Sequence, residues 1–296
     1  SEKGLVVREE EGGWCLGDWC FPASEEKEQL PEAFINTFYY LHGLQEMMQI
    51  SEKMNNKLPI RFAEREKNVK NAFLDAYFDP ETEDFCEGRA AGNAYGLALG
   101  LGDERTKKHL VEKYEALERF DTGIFGTSML LEQLFSIGAG DLAVRLLTND
   151  SEAASFAHMK RNGATTLWER WDGRESHNHP MFGACVRLLF TQILGIRMMP
   201  AAQPPVVIPT QSDVTTQPTQ ALKLLNGELQ PPAVPASAQH FSYEIRLSSQ
   251  RQLTWAKGSI QTPDGSLSVS WELLENGEKQ VEWSLAPAGE DKVPTM

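Results

Sequence analysis

Cysteine is scarce: Cys15, Cys20, Cys86 and Cys185 are the only four in 296 residues, and no two form a CxxC pair. That scarcity excludes a disulfide framework and the usual zinc-ligand spacings. It leaves reduced thiols, with Cys15 and Cys20 as the one pair near enough to close a small loop in an oxidising compartment. No run of eighteen apolar residues occurs, so the sequence offers no membrane-spanning helix. The opening segment SEKGLVVREEEGG lacks the apolar stretch of a secretory signal, and its first residue, Ser1, reads as a processed end or a cut within something longer. Basic clusters are also missing. With 28 Lys and Arg against 42 Asp and Glu, the net charge is −14, which argues against nucleic acid and anionic membranes as partners.

What is present divides near residue 200. Eight of the sixteen prolines fall between Pro200 and Pro235, in a stretch that cannot hold a continuous helix and has little to bury. Residues 200–239 therefore read as an extended connector between a helical portion, 1–199, and a β domain, 240–296. In the helical portion Phe34, Phe38, Leu41, Leu44 and Met48 recur at three- and four-residue steps. So do Val69, Phe73 and Ala76, then Leu110, Tyr114 and Leu117, then Met129, Leu130, Leu134 and Ile137. Gly138, Gly163 and Gly195 stand where helix C-caps belong, and Asp79-Pro80 stops the second long helix. The pattern predicts about eight helices between residues 31 and 195, stacked as αα-hairpins without sheet. After residue 239 the period falls to two, through Phe241 to Leu247, Leu267 to Trp271 and Val281 to Leu285. Pro263-Asp264-Gly265 and Glu275-Asn276-Gly277 mark turns, so a small antiparallel β-sandwich-like module is expected.

Chemistry concentrates in residues 163–184, GATTLWERWDGRESHNHPMFGA. Trp168 and Trp171 bracket Glu169 and Arg170, followed by Asp172, His177, Asn178 and His179. Aromatic faces beside carboxylates and imidazoles suit a sugar, whose C–H faces stack on rings while polar groups read hydroxyls and activate water. The same residues also read as core rings and a surface ion pair. A second cluster, GGWCLGDW at 12–19, carries Asp18 and Trp19; Asp18 reads equally well as a cap on a backbone amide. His177 and His179, two apart, suit a sugar hydroxyl or a backbone carbonyl better than a metal ion, and no metal cluster stands out.

In order, GDW (17–19), LPEAFINTFYY (30–40), GNAYGLALGLG (92–102), TGIFGTSMLLEQL (122–134), GATTLWERWDG (163–173) and HNHPMFGA (177–184) resemble the C-terminal half of the catalytic domain of bacterial α-L-rhamnosidases of glycoside hydrolase family 78. The likeness runs from about residue 12 to 197, and the β module resembles that family's C-terminal β domain. It implies a mainly α fold, a partial (α/α)6 barrel followed by the small β domain. It also implies inverting hydrolysis of terminal α-L-rhamnose in bacterial carbohydrate metabolism, without a cofactor. Carried over by motif, Glu169 matches the general base, while Trp168, Trp171, His179, Asp18 and Trp19 match the sugar-binding set.

One departure bears on activity. The resemblance implies a general acid within a motif of the type RDERxGWxGD, and no such stretch occurs here. Glu87 and Asp18 are the alternatives within the chain. The expected substrate is thus a rhamnose-containing glycan or glycoside, and the expected partner is the other half of the barrel or a second copy of the chain. A sugar-binding module without activity, or an α/α-barrel glycosidase for another sugar, are the rival readings. Compartment is left open between bacterial cytoplasm, periplasm and exterior.

Overall fold

A computed structural model describes residues 4–7, 15–22, 29–55, 58–150, 154–200 and 241–287. The connector expected at 200–239 lies, apart from Pro200, outside the described residues, as does Trp14. Two compact units form, Ser1–Cys185 and Val186–Met296.

The first unit is built from helices. α1 (Glu32–Lys53) and α2 (Arg61–Tyr77) form a hairpin, because the 3.6-residue period puts Phe34, Phe38, Leu41 and Leu44 on one stripe of α1 and Val69 and Phe73 on one stripe of α2. The stripes meet through aromatic rings, Phe34 lying 4.9 Å from Phe73 and 5.1 Å from Tyr77. α3 (Gly92–Ala98) is central and buried over most of its length. Its glycines allow that: a Cβ on Gly96 would lie 2.2 Å from the Phe85 ring, and one on Gly92 2.5 Å from the Phe85 carbonyl oxygen. α4 (Glu104–Leu117) starts with a capping box, in which Asp103 accepts from the Arg105 and Thr106 N–H groups while the Thr106 hydroxyl accepts from the Asp103 N–H. α5 (Ile124–Ser136), α6 (Gly140–Thr148) and α7 (Phe156–Arg161) complete the unit. Gly138 and Gly163 follow α5 and α7 with positive φ, as C-cap positions require.

The expectation of helices without sheet needs a correction. β1 (Phe78–Asp79) pairs antiparallel with β2 (Asp84–Phe85), in register Phe78 with Phe85. Pro80 ends α2 as expected, but the chain then doubles back, because Phe85 must enter the core beside α3. Asn93 fixes that return, accepting from the Phe85 N–H at 2.7 Å and donating to Asp84 at 2.7 Å.

The second unit begins with α8 (Val186–Leu188), which widens into a π-helical turn over Leu189–Ile193. β3 (Ile196–Pro200) pairs antiparallel with β4 (Phe241–Ile245), and β5 (Trp255–Thr262), β6 (Gly265–Leu273) and β7 (Lys279–Pro287) form an antiparallel sheet in that order. Alternation buries Leu267, Val269 and Trp271 of β6 against Val281 and Trp283 of β7. The Trp271 indole N–H donates to the Ile193 carbonyl at 2.7 Å, which ties the helical segment to the sheet. Residues 196–199, expected to close the helical portion, are therefore strand.

All four cysteines are free thiols, so the Cys15–Cys20 loop is not closed by a disulfide. Burial pushes Cys20 and Cys86 up to about 12 and Cys185 to about 11.

Two glycine substitutions test the packing in opposite directions. Gly96→Ala drives a methyl into Phe85 and is expected to destabilise the chain by about 1–3 kcal/mol. Gly43→Ala, within α1 and with nothing inside 4 Å of the new Cβ, is expected to stabilise by about 0.5–1 kcal/mol. Urea midpoints of the two variants check both signs.

Candidate functional site

The segment 163–180 folds back on itself. Glu169 N–H donates to the Ser176 carbonyl at 2.8 Å, and His179 N–H to the Leu167 carbonyl at 2.8 Å. Gly173, at φ +73°, lets the turn pass under Trp168: a Cβ there would lie 2.7 Å from the ring. Trp168 stacks on His177 at 4.7 Å, and the His177 Nε2 lies 2.6 Å from the Gly173 carbonyl. These bonds bring Glu169 and His179, ten residues apart, to one point.

Glu169 is the focus. Its Oε1 accepts from the Trp19 indole N–H at 3.0 Å, and its Oε2 accepts from the Ser176 N–H at 3.3 Å and lies 3.5 Å from His179 Nδ1. The Glu169 side chain keeps 16% of its surface exposed and His179 25%, so the group is reachable. The Trp19 N–H is the main reason that the Glu169 carboxyl lies below its ordinary value. Partial burial opposes it, and the Ser176 N–H, His179 and Arg170 help. The arrangement holds an ionised carboxylate at neutral pH.

The other expected residues lie beside or beneath this point. Trp168 and Trp171 are buried, 5% and 3% exposed. Trp171 donates to the Thr122 carbonyl at 2.9 Å and packs among Phe120, Phe156 and Phe182, with Phe120 stacked on it at 5.5 Å. Asp18 is 4% exposed, and its two oxygens accept from the Gly123 and Gly126 N–H groups, each at 2.8 Å, at the start of α5. Burial pushes the Asp18 carboxyl up to about 6, with Asp121 adding to the rise and the N–H groups of Gly126, Gly123 and Phe125 opposing it. Asp121 is itself paired with Lys113 at 2.8 Å and accepts from the Tyr114 hydroxyl at 2.5 Å. Glu87, the other alternative carboxylate, is 81% exposed beside Arg89.

Gly123 and Gly126, within TGIFGTSMLLEQL, have their task only in the fold, where they let Asp18 and Trp19 approach the helix start. Two glycines three apart at a helix start were the available signal for a close backbone approach. A separate groove of about 1060 Å3, lined by Met48, Ile60, Phe62 and Leu99 among others, includes none of the site residues. Among the described residues no group of three or more His, Cys, Asp or Glu is placed to hold a metal ion, and no helix is long and apolar enough to cross a membrane.

The model of the bacterial α-L-rhamnosidase six-hairpin glycosidase domain matches residues 3–193. The chain belongs to that family. α-L-Rhamnosidases of Alteromonas sp. (strain LOR) and Formosa agariphila are similar to it at 24% and 28% identity, over 88% and 87% of this chain but only 27% and 26% of their own length. The chain thus spans about a quarter of the curated relatives it matches. Among solved structures, the Streptomyces avermitilis α-L-rhamnosidase complexed with L-rhamnose superposes with a TM-score of 0.69 at 19% identity, covering 97% of this chain and 25% of that one. The Aspergillus terreus α-L-rhamnosidase gives 0.68 at 18% identity, over 96% of this chain and 31% of that one. These likenesses establish the fold, part of the α-L-rhamnosidase (α/α)6 barrel with a β domain.

The buried carboxyl of this rhamnosidase-family chain gives stability a pH dependence whose sign is fixed. Asp18 rises from 3.8 to about 6 on folding, so its stabilising proton uptake is complete below the unfolded value and lost as pH rises through about 6. The change is about 3 kcal/mol across that window. Asp18→Asn is expected to flatten the corresponding part of the urea-midpoint profile between pH 4 and 7. An unaltered slope in the variant would assign the effect elsewhere.

Proposed function

We propose that this chain supplies the general-base half of an inverting α-L-rhamnosidase site, with Glu169 as the base and a terminal α-L-rhamnoside as substrate. One observation carries the reading: a partly exposed carboxylate kept ionised by the Trp19 indole N–H, with His179 3.5 Å from its other oxygen. A base must be unprotonated at working pH and within reach of water, and Glu169 meets both conditions. In a single displacement Glu169 takes a proton from water as the water oxygen bonds to the anomeric carbon. The glycosidic C–O bond breaks on the opposite face, and a general acid protonates the leaving oxygen. The two carboxyl groups of such a pair stand roughly 6.5–9.5 Å apart to admit the water.

The acid, on this reading, comes from outside the chain. Asp18 has a raised pKa, but it is 4% exposed and held against the start of α5 by two backbone N–H groups, out of reach of a leaving group. Glu87 is solvated, its carboxylate 3.8 Å from the Arg89 guanidinium. We assign His179 and Trp19, which flank the Glu169 carboxylate at 3.5 and 3.0 Å, to the sugar-binding set. Trp168 and Trp171, both buried, pack the segment that carries Glu169. The helical unit, Ser1–Cys185, is then the catalytic portion, and the strands of the second unit form an accessory β domain.

Hydrolysis of an aryl α-L-rhamnoside tests the proposal. The 296-residue chain alone is expected to turn over near background. A longer form that contains an acid-bearing upstream portion is expected to be active and to release the inverted anomer, seen by proton NMR. In that form Glu169→Gln should lower kcat by roughly 10²–10⁴-fold, the usual worth of a proton-transfer partner. Full activity in Glu169→Gln would remove Glu169 as base, and robust turnover by the short chain would place the acid within it.

A further inference from the structure

We infer that Asp18 is a positioning residue for Glu169, acting through Trp19 rather than on the sugar. The inference rests on the reading of Glu169 as the base and concerns how that base is held. Asp18 is clamped at the start of α5, accepting from Gly123 and Gly126 at 2.8 Å each, and the next residue is clamped too, the Trp19 carbonyl accepting from the Ile124 N–H at 2.8 Å. Three N–H groups of one helix end thus hold two consecutive residues. The fit leaves no slack. A Cβ on Gly123 would lie 2.2 Å from the Trp19 carbonyl oxygen and 2.4 Å from that of Asp18, and a Cβ on Gly126 would lie 2.3 Å from Asp18 Oδ2.

Beyond Trp19 the chain turns at once, Cys20 having φ +64°. Trp19 is therefore fixed on both sides, and its indole reaches across to Glu169 Oε1 at 3.0 Å. The N–H groups at the start of a thirteen-residue helix need acceptors, and Asp18 offers one on each carboxyl oxygen, so the clamp rests on this two-point geometry rather than on the charge. Tyr39, Tyr95, Tyr114 and Asp121 are the titratable groups that interact with Asp18, and Lys113 pairs with Asp121. Asp18 and Glu169 share no direct bond; the indole is the link.

The test follows the Trp19 indole N–H resonance of the full 296-residue chain against pH, since that proton reports the ionisation of Glu169. In the native chain it should titrate below the ordinary Glu range. Trp19→Phe, which removes the donor, should raise the Glu169 titration, followed then by its own carboxyl carbon. Asp18→Ala should raise it in the same direction while leaving the indole present. Asp18→Asn keeps the shape and one acceptor oxygen, so its shift should fall between native and Asp18→Ala, and it serves where the alanine variant does not fold. In an active longer form Asp18→Asn should lower kcat by roughly 10²-fold with KM little changed, as expected from a slightly misplaced base. An unshifted Glu169 titration in both Asp18 variants, with a clear shift in Trp19→Phe, would overturn the inference. Undiminished activity of Glu169→Gln would instead overturn the base assignment and leave the titration result standing, so the two failures are distinct.

Discussion

The start of α5 is buried, and a buried helix start exposes N–H groups that no residue of the helix can satisfy. Asp18 and the Trp19 carbonyl take three of them, and much of the first unit is arranged around that demand. Glycine is required at 123 and 126 because the acceptors come so close. Thr122, just before the helix, offers its carbonyl to Trp171, and Asp121 takes the Tyr114 hydroxyl and the Lys113 ammonium. The arrangement is costly as well as firm. Desolvation of Asp18 outweighs the backbone donors, so its pKa rises where a cap in water would lower it. An anion retained in such a place holds a geometry rather than adding to stability.

Tryptophan has two distinct uses here, each decided by what the indole N–H meets. In Trp171 and Trp271 it meets a backbone carbonyl, at Thr122 and Ile193, and the ring locks one segment to another. In Trp19 it meets a carboxylate, the only one of these acceptors that changes protonation. That difference turns a packing residue into one that sets a pKa. Trp168 and Trp171, on either side of Glu169 in sequence, are buried and keep the backbone between them from moving, so the carboxylate projects from a fixed base.

The helices were legible because their cores are written at period 3.6: Phe34, Phe38, Leu41 and Leu44 are buried as that period requires. The glycine stops at 138, 163 and 195 do have positive φ. β4, β6 and β7 were legible by alternation. β5 was not, because Ala256 and Gly258 face inward and give no apolar signal; Gly258 is small where a Cβ would meet Leu194 at 2.6 Å. β1 and β2 are two residues long, shorter than any period can reveal, and β3 needs β4 from across the Pro-rich stretch. For the site, residue types and a family resemblance pointed to Glu169, Trp19 and His179. The clamp beneath them joins residues 105 and 108 positions apart, and no local pattern encodes such a contact.

Local donors, not net charge, decide the state of Glu169. A chain carrying −14 has a field that by itself favours protonated carboxyls. Exposed charges separated by more than about 10 Å are largely screened at 0.1 M salt, so most of that excess does not reach Glu169. The Trp19 N–H at 3.0 Å and the Ser176 N–H at 3.3 Å are inside that distance and bond only the acceptor that Glu169 presents. Two nearby carboxyl groups of one chain are thereby driven apart: Glu169 downward by donors at a reachable surface, Asp18 upward by burial beneath it. The donors to Asp18 outnumber the indole at Glu169, yet they lose to desolvation, because exposure rather than the count of hydrogen bonds separates the two carboxyls.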